Sequence, residues 1–469
     1  MAVPINTFVG VNVAIQSAPV AAPVFGIPLF YSYESELPST PTYYSPDDIL
    51  AELEDLGITS SEPVYLAAQA IKDQSALGPL PEQIGVVKRL SNVAQVSHVT
   101  FSSAANNSNY TVTISQDGAE IASETYTSDG SATAQEIVEG LTALLEAALP
   151  ASTVAVTEDN TKLILTAEVA GVPFSVVASS TGAGVTATIT ANTANRNGAT
   201  QLADIWEADK TWYILVPLDS ADFALPDLDV TQIAAAMASL EAVAFLQSSS
   251  ADIIDAGVTD DPASVVQDAS NSRALVLYHA DTDEPAAAAL AGRMGGYDPS
   301  DGLTPIGNKK LVNITSQDVS STELAAAVAK RASIYVKVIN RSTNLGGYVR
   351  DGLMAFSLNW PQRIGVDWSI AQIRQEVFTL MDEASNAGRD IPFTAAGLQM
   401  IGGALGKVAA DMLRIGLIGS PATVTVPALS DIDAGDVAAG RATGFKISGT
   451  AADSVIYAEI NAYLARSGA

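Results

Sequence analysis

The chain has 469 residues, 52 of them Asp or Glu against 23 Lys or Arg, for a formal net charge of −29. Apolar residues make up 48% and charged residues 16%, a globular composition with length for about three domains. The acidity disfavours contact with nucleic acid or anionic lipid through the bulk surface. The lack of cysteine excludes disulfides, thiolate metal sites and cysteine nucleophiles, and fits a reducing compartment. There is no apolar run of about 18 residues, and no basic region followed by an apolar core, so neither a membrane span nor a signal peptide is expected.

Ile5–Ile15, with Phe8, Val9, Val11 and Val13 inside it, is rich in β-branched side chains and reads as a strand. Pro19, Pro23 and Pro28 then mark a prolyl linker that forbids regular helix. With no hairpin partner nearby, Ile5–Ile15 must pair with something distant, either its own core or another chain. Ser45-Pro46-Asp47-Asp48 opens a helix that Gly57 stops, a second helix covers about Pro63–Gln74, and Gln83–Lys88 reads as a strand.

From about Val96 to Asn197 the pattern is that of a small domain of its own. Tyr110–Ile114 and Ile121–Thr127 alternate apolar and polar residues, with Asp117-Gly118 as the turn between them. Thr133 caps a helix and Glu136 completes a capping box; Ile137, Leu141, Leu144, Leu145 and Ala148 share one face, and Pro150 ends it. Strand-like runs follow at Thr153–Glu158, Lys162–Ala167, Pro173–Ala178 and Val185–Thr190. A sheet with one helix over it is expected, able to close its own core. Its Thr, Ser, Asn and Asp surface offers little chemistry, so the module reads as a decoration that projects outward.

Beyond Asn197 strands and helices alternate. Leu202–Ala208 is helical, Trp212–Val216 a buried strand, Ile233–Val243 an alanine-rich helix, and Ala244–Gln247 and Ala274–Tyr278 are strands. Pro285–Met294 and Thr322–Arg331 are helices, with the strand Ile334–Ile339 after them. This order implies a largely parallel sheet covered by helices. Asp367–Leu380 and about Ala395–Leu413 are two further helices, and Thr423–Val426, Phe445–Gly449 and Ile456–Leu464 are strands.

No constellation for catalysis or metal binding emerges. His98 and His279 are far apart and neither lies in a ligand pattern. Gly402-Gly-Ala-Leu-Gly-Lys407 fails as a phosphate loop, because Ile401 stands at its first glycine and Val408 at its Ser/Thr. Asp431, Asp433 and Asp436 fail as a calcium loop, because Ala442 occupies the place of the bidentate glutamate. Charge is spread unevenly: Asp301–Ser420 holds 12 Lys/Arg against 10 Asp/Glu, leaving 11 against 42 elsewhere. That contrast is either ordinary variation between elements or the mark of a portion facing an acidic partner.

Several stretches together resemble the tail-sheath proteins of contractile-tailed bacteriophages. They are Tyr278-His-Ala280 with Pro285–Ala289, Gly292-Arg-Met294 and Tyr297-Asp-Pro299; Asp367–Phe378; Ile391–Gly397; Val424–Asp431; and Ala203–Trp206 with Thr211–Leu215. The inserted module is also similar to those of sheath relatives. The resemblance implies an α/β (α+β) multidomain fold, a helix-covered mixed sheet core with an inserted β-rich domain and extended terminal arms. It implies an arm at 1–24, core at 25–95 and 198–440, the outer domain at 96–197, and C-terminal strands at 441–469. It implies six-membered rings of identical subunits stacked around a tail tube protein in the virion, bounded by baseplate and tail terminator proteins, with no cofactor, metal or enzymatic activity. Neighbours in that family are joined by arms, which here would be Ile5, Phe8, Val9, Val11, Val13 and Ile15 at one end and Ile456, Ile460 and Tyr463 at the other. Tube-facing candidates are Lys309, Lys310, Arg389, Lys407 and Arg414. Two alternatives stay open, a capsid-decorating or adhesin protein, which needs no α/β core, and a doubly wound enzyme, which needs a glycine-rich first turn.

Overall fold

A computed structural model of the chain describes residues 25–116, 118–219, 222–340, 343–438 and 440–451. They form two compact units, one of residues 89–202 and one built from the chain up to 88 and from 203 onward.

The larger unit begins with β1 (Pro28–Ser32), β2 (Thr42–Tyr44), α1 (Ile49–Asp55), α2 (Pro63–Asp73) and β3 (Ile84–Lys88). All five residues of β1 are buried, and the strand runs parallel to β3. This corrects the prolyl linker at its last proline. Pro28 stands at the first position of a strand, where a missing N–H is tolerated, and the apolar run behind it is core.

The smaller unit holds β4 (Val96–Phe101), β5 (Asn109–Gln116), β6 (Ala119–Thr127), α3 (Ala134–Ala148), β7 (Val154–Asp159), β8 (Lys162–Ala167), β9 (Phe174–Ser180) and β10 (Ala187–Thr193). Its strands divide into two antiparallel sheets, β10-β4-β8-β7 and β6-β5-β9, in place of the single sheet expected. Alternation reveals which face of a strand is buried, not which strands share a ladder. Val99, Leu163 and Leu165 of one sheet, Val112 and Ile114 of the other, and Ile137, Leu141 and Leu145 of α3 fill one core. Thr133 Oγ1 accepts from Glu136 N at 3.1 Å, and the Glu136 carboxylate accepts from Thr133 N at 3.3 Å, so the capping box forms. The ends of the unit meet: Val93 N donates to Arg196 O at 2.8 Å and Arg196 N to Val93 O at 3.2 Å.

After α4 (Gln201–Ala208) the larger unit resumes with β11 (Ile214–Pro217), α5 (Asp227–Met237), β12 (Val243–Ser248), α6 (Pro262–Asp268), β13 (Ala274–Tyr278), α7 (Ala286–Gly295), α8 (Ser321–Ala329), β14 (Ser333–Asn340) and β15 (Thr343–Arg350). The strand order is β15-β14-β13-β12-β11-β1-β3-β2. The inner strands pair in parallel, and β15 and β2 close the two edges antiparallel. Every residue of β11, β12 and β13 is buried, as continuous apolar strands covered on both faces should be. All of α7 is buried too. A Cβ on Gly292 would come within 2.8 Å of Ile71 Cα, so the small residues of α7 let it lie hard against α2.

The chain then forms α9 (Trp360–Asn386), α10 (Ala395–Arg414), β16 (Ile418–Thr425), α11 (Ala434–Ala438) and β17 (Lys446–Ala451). α9 starts a full two turns before the expected Asp367, because Asn359 and Gln362 make a capping box and Pro361 sits in the first turn. Val366, Trp368, Ile373 and Val377 of α9 meet Leu405, Val408 and Met412 of α10 and Ile418 of β16 in a second core.

The paired ends of the smaller unit make its removal testable. Replacing residues 94–195 with a short Gly/Ser linker, so that Val93 and Arg196 still pair, should leave a cooperative thermal melt by circular dichroism. An aggregated or molten product would show that the larger unit cannot fold without it.

Candidate functional site

Open α/β sheets bind ligands beyond the carboxyl ends of their strands, where the strand order reverses. Here the order reverses at β1, between β3 and β11. The turn after β1 reads Ser32-Tyr33-Glu34-Ser35 and has no glycine. Leu218, just past β11, donates its N–H to Tyr31 O at 3.0 Å, and Leu218 and Phe223 are buried in the core. The crevice such a fold offers is occupied by the protein's own side chains.

The titratable groups near the strand ends are likewise bound to one another. His279, which follows β13, is fully buried. Its Nδ1 lies 3.1 Å from Gln317 Nε2, an amide that can only donate, so Nε2 carries the proton and donates to Glu284 Oε2 at 3.0 Å. Glu284 also accepts from the backbone N–H and hydroxyl of Thr315, each at 2.6 Å, and its carbonyl accepts from Gln247 Nε2 on β12 at 2.8 Å. Burial pushes the imidazole below its ordinary pKa, against the opposing pull of Glu284. Burial works to raise Glu284, yet the bonds from Thr315 and His279 leave it below the usual carboxylate range.

Two further ionic groups brace the fold. Asp367 on α9 accepts from Arg363 one turn earlier, from Arg273 just before β13, and from the Tyr213 hydroxyl at 2.8 Å. Burial, then the Asp367 charge, holds the Tyr213 phenol far above its ordinary value. Lys330 Nζ meets Asp252 O at 2.6 Å, Asp255 O at 2.7 Å and Asp261 Oδ2 at 2.9 Å, three acceptors for three N–H groups. Among the described residues no group of three or more His, Asp or Glu is placed to hold a metal ion. In the stretch weighed as a calcium loop, Asp433 accepts from Gly435 N at 2.7 Å and Asp436 pairs with Arg441 at 2.8 Å. His98 lies on β4, opposite Ile164 and Thr190.

The arm residues Ile5, Phe8, Val9, Val11, Val13, Ile15, Ile456, Ile460 and Tyr463 lie outside the described residues. The five basic candidates do not form one cluster. Lys407 pairs with Glu376 at 3.1 Å across the α9–α10 hairpin, and Arg414 pairs with Asp411 at 3.0 Å and donates to Ser300 O at 2.6 Å. Arg389 is exposed in the connection between the two helices. Arg414 ends α10, so those two are separated by nearly the whole helix, roughly 28 Å at about 1.5 Å per residue. Lys309 and Lys310 sit over the Tyr297 and Tyr348 rings, at 4.9 and 5.0 Å from their centroids. The charge count located the basic residues but carried no information on which of them already hold acids.

The surface feature that stands out is backbone. β16 and β17 form a two-stranded antiparallel ribbon, so each strand keeps an edge that no other described strand pairs. Ala422, Val424 and Ile447 pack on the second core, while Pro421, Thr423 and Thr425 are exposed. Unpaired strand edges are templates for added strands. The alternating pattern marks both strands but not which described strands pair with them.

These features define a class, a helix-covered mixed α/β fold in which buried Asp261, Lys330, Arg363 and Asp367 are paired internally and a two-stranded ribbon keeps edges that no other described strand pairs. Among the described residues no helix is long and apolar enough to cross a membrane. A chain of the anti-feeding prophage baseplate shares this fold, with a TM-score of 0.52 and 12% identity over 97% of this chain and 99% of that one. A sheath tail protein of Listeria innocua is similar at a TM-score of 0.43 and 12% identity, covering 93% of each chain. The contracted sheath complex of PVC, an extracellular contractile injection system, is similar at 0.49 and 11%, covering 97% of each. No protein-family model and no curated protein matches the chain.

Two measurements test the buried groups. Asp367→Ala leaves two guanidinium groups without their counter-ion and should lower unfolding free energy by about 3–5 kcal/mol in urea titration. For His279 the unfolded chain takes up the proton first, so its contribution is complete above the ordinary value of 6.5 and is lost as pH falls through the lowered folded value. The melting temperature should fall on acidification below 6.5, and His279→Asn should flatten that slope while lowering stability at neutral pH.

Proposed function

We propose that the chain is the subunit of a contractile sheath, polymerising around a tube and shortening to drive it through an envelope. The observation that carries the reading is the fold shared with the anti-feeding prophage baseplate chain over nearly all of both chains. The internal pairing of His279, Lys330 and Asp367 supports it, because contraction draws on subunit packing and requires no active site. The partners are further copies in stacked six-membered rings, a tube protein, and baseplate and terminator proteins, in a phage virion or a phage-derived device. Residues 96–197 are assigned to the outer surface. The near-neutral portion faces the tube, where exposed ion pairs contribute about 0.2–1 kcal/mol each and gain weight by repetition. Arg389 and Lys310 serve that face best, since Lys407 and Arg414 already hold acids of their own chain.

Neighbours are joined by the arms, and the β16–β17 ribbon is where added strands dock. Extended, Ile5–Ile15 spans roughly 36 Å at about 3.3 Å per residue. About five backbone hydrogen bonds at about 0.5–1.5 kcal/mol each, with buried valines at about 1.5–3 kcal/mol each, are opposed by about 1–2 kcal/mol per ordered residue. A single arm is therefore nearly balanced, and a closed ring is needed for the lattice to persist. Deleting residues 2–17 should give a folded monomer by sedimentation and no tubular polymer by electron microscopy with tube protein present. Tubes that still form would remove the arm linkage.

A further inference from the structure

Arg293, near the end of α7, is nine-tenths buried. Among the described residues its guanidinium makes one hydrogen bond, from Nη1 to the Tyr297 hydroxyl at 2.5 Å, and its buried Nε donates to nothing. A Cβ on Gly78 would come within 2.6 Å of Nη1, so a glycine leaves the space in which the guanidinium rests. Lys309 Nζ lies 4.9 Å and Arg293 Cζ 5.3 Å from the centroid of the same Tyr297 ring, which puts the cations within about 10 Å of each other. Neither pairs with a carboxylate of the described residues, whereas Arg273, Lys330, Arg363, Arg374, Lys407 and Arg414 all do. A buried charge without a counter-ion is strongly unfavourable, and a guanidinium with free donors matches a carboxylate.

We infer that Arg293 and Lys309 are the receptor for the carboxylate of Glu459, delivered by the C-terminal segment of a second copy of this chain. Residues 1–24 hold no charged side chain, while residues 452–469 hold two acids, Asp453 and Glu459, and one base, Arg466. Asp453 comes two residues after Ala451, which is paired with Ile418, so it reaches only about 7 Å beyond its own ribbon. Glu459 comes eight residues after Ala451 and reaches about 26 Å if extended. Lys309 then belongs to this contact and not to the tube face. The second copy rests on the sheath reading; the charge pairing does not.

The test is fluorescence anisotropy with a labelled peptide of residues 452–469. The receptor is the full-length chain carrying Glu459→Gln, which removes competition from its own segment. The wild-type peptide should bind saturably, and Glu459→Gln in the peptide should weaken binding about tenfold, the loss expected of one charge-assisted hydrogen bond. Arg293→Gln in the receptor should erase the difference between the two peptides. Equal binding of both peptides to the unaltered receptor site, or no saturable binding, overturns the inference. The peptide arm leaves the receptor fold untouched, so it decides even where Arg293→Gln fails to fold. A chain that binds the peptide as expected yet never assembles around tube overturns the sheath reading alone. A chain that assembles but binds both peptides alike overturns this inference alone.

Discussion

Everything in the larger unit depends on β1 being paired in parallel on both sides. One neighbour, β3, is close in sequence, but Pro28 meets Ile214 on the other. A parallel pair cannot be made by a local turn, and here the crossover contains the whole 89–202 unit. The central sheet therefore closes only when chain far beyond that unit arrives, and such non-local pairing is slow to form. The alanine-rich α7, buried against α2, reinforces the same join between early and late chain.

Once closed, the sheet is held by charges that look inward. Asp367 ties α9 to Tyr213 beside β11 and to Arg273 beside β13. Lys330 gathers the carbonyls of a turn and the cap of α6. The His279–Glu284 pair links β12, β13 and the start of α7 through Gln247 and Thr315. Buried ionic groups add little net stability over apolar packing, but each demands one arrangement of its partners.

Much of the fold was legible from pattern. Ala274–Tyr278 and Lys162–Ala167 are strands from end to end as read, because each is bounded by turn chemistry and has an unmixed period. The capping box at Thr133 needed only two residues three apart. What was missed follows from information that local pattern lacks. Pro28 disguised a central strand as linker, α5 began at Asp227 ahead of the alanines that advertised it, and β15, with Gly346 and Gly347, carries too little β-branched character to read as a strand. In the sequence Arg293 is one residue of the Gly292-Arg-Met294 run; that its guanidinium is buried with no acid among the described residues is a tertiary fact, visible only when Tyr297 and Lys309 are brought beside it.

The hydrogen-bonded neck at Val93 and Arg196 sets a geometric rule for whatever hangs from it. Two strands paired there stand about 5 Å apart, so any cargo must begin and end at almost the same point. Hairpins, sandwiches and barrels whose termini are neighbours satisfy this, while a domain with termini at opposite poles would pry the neck open. The position is thus a socket for grafting, and the folds it accepts can be chosen by the spacing of their ends alone.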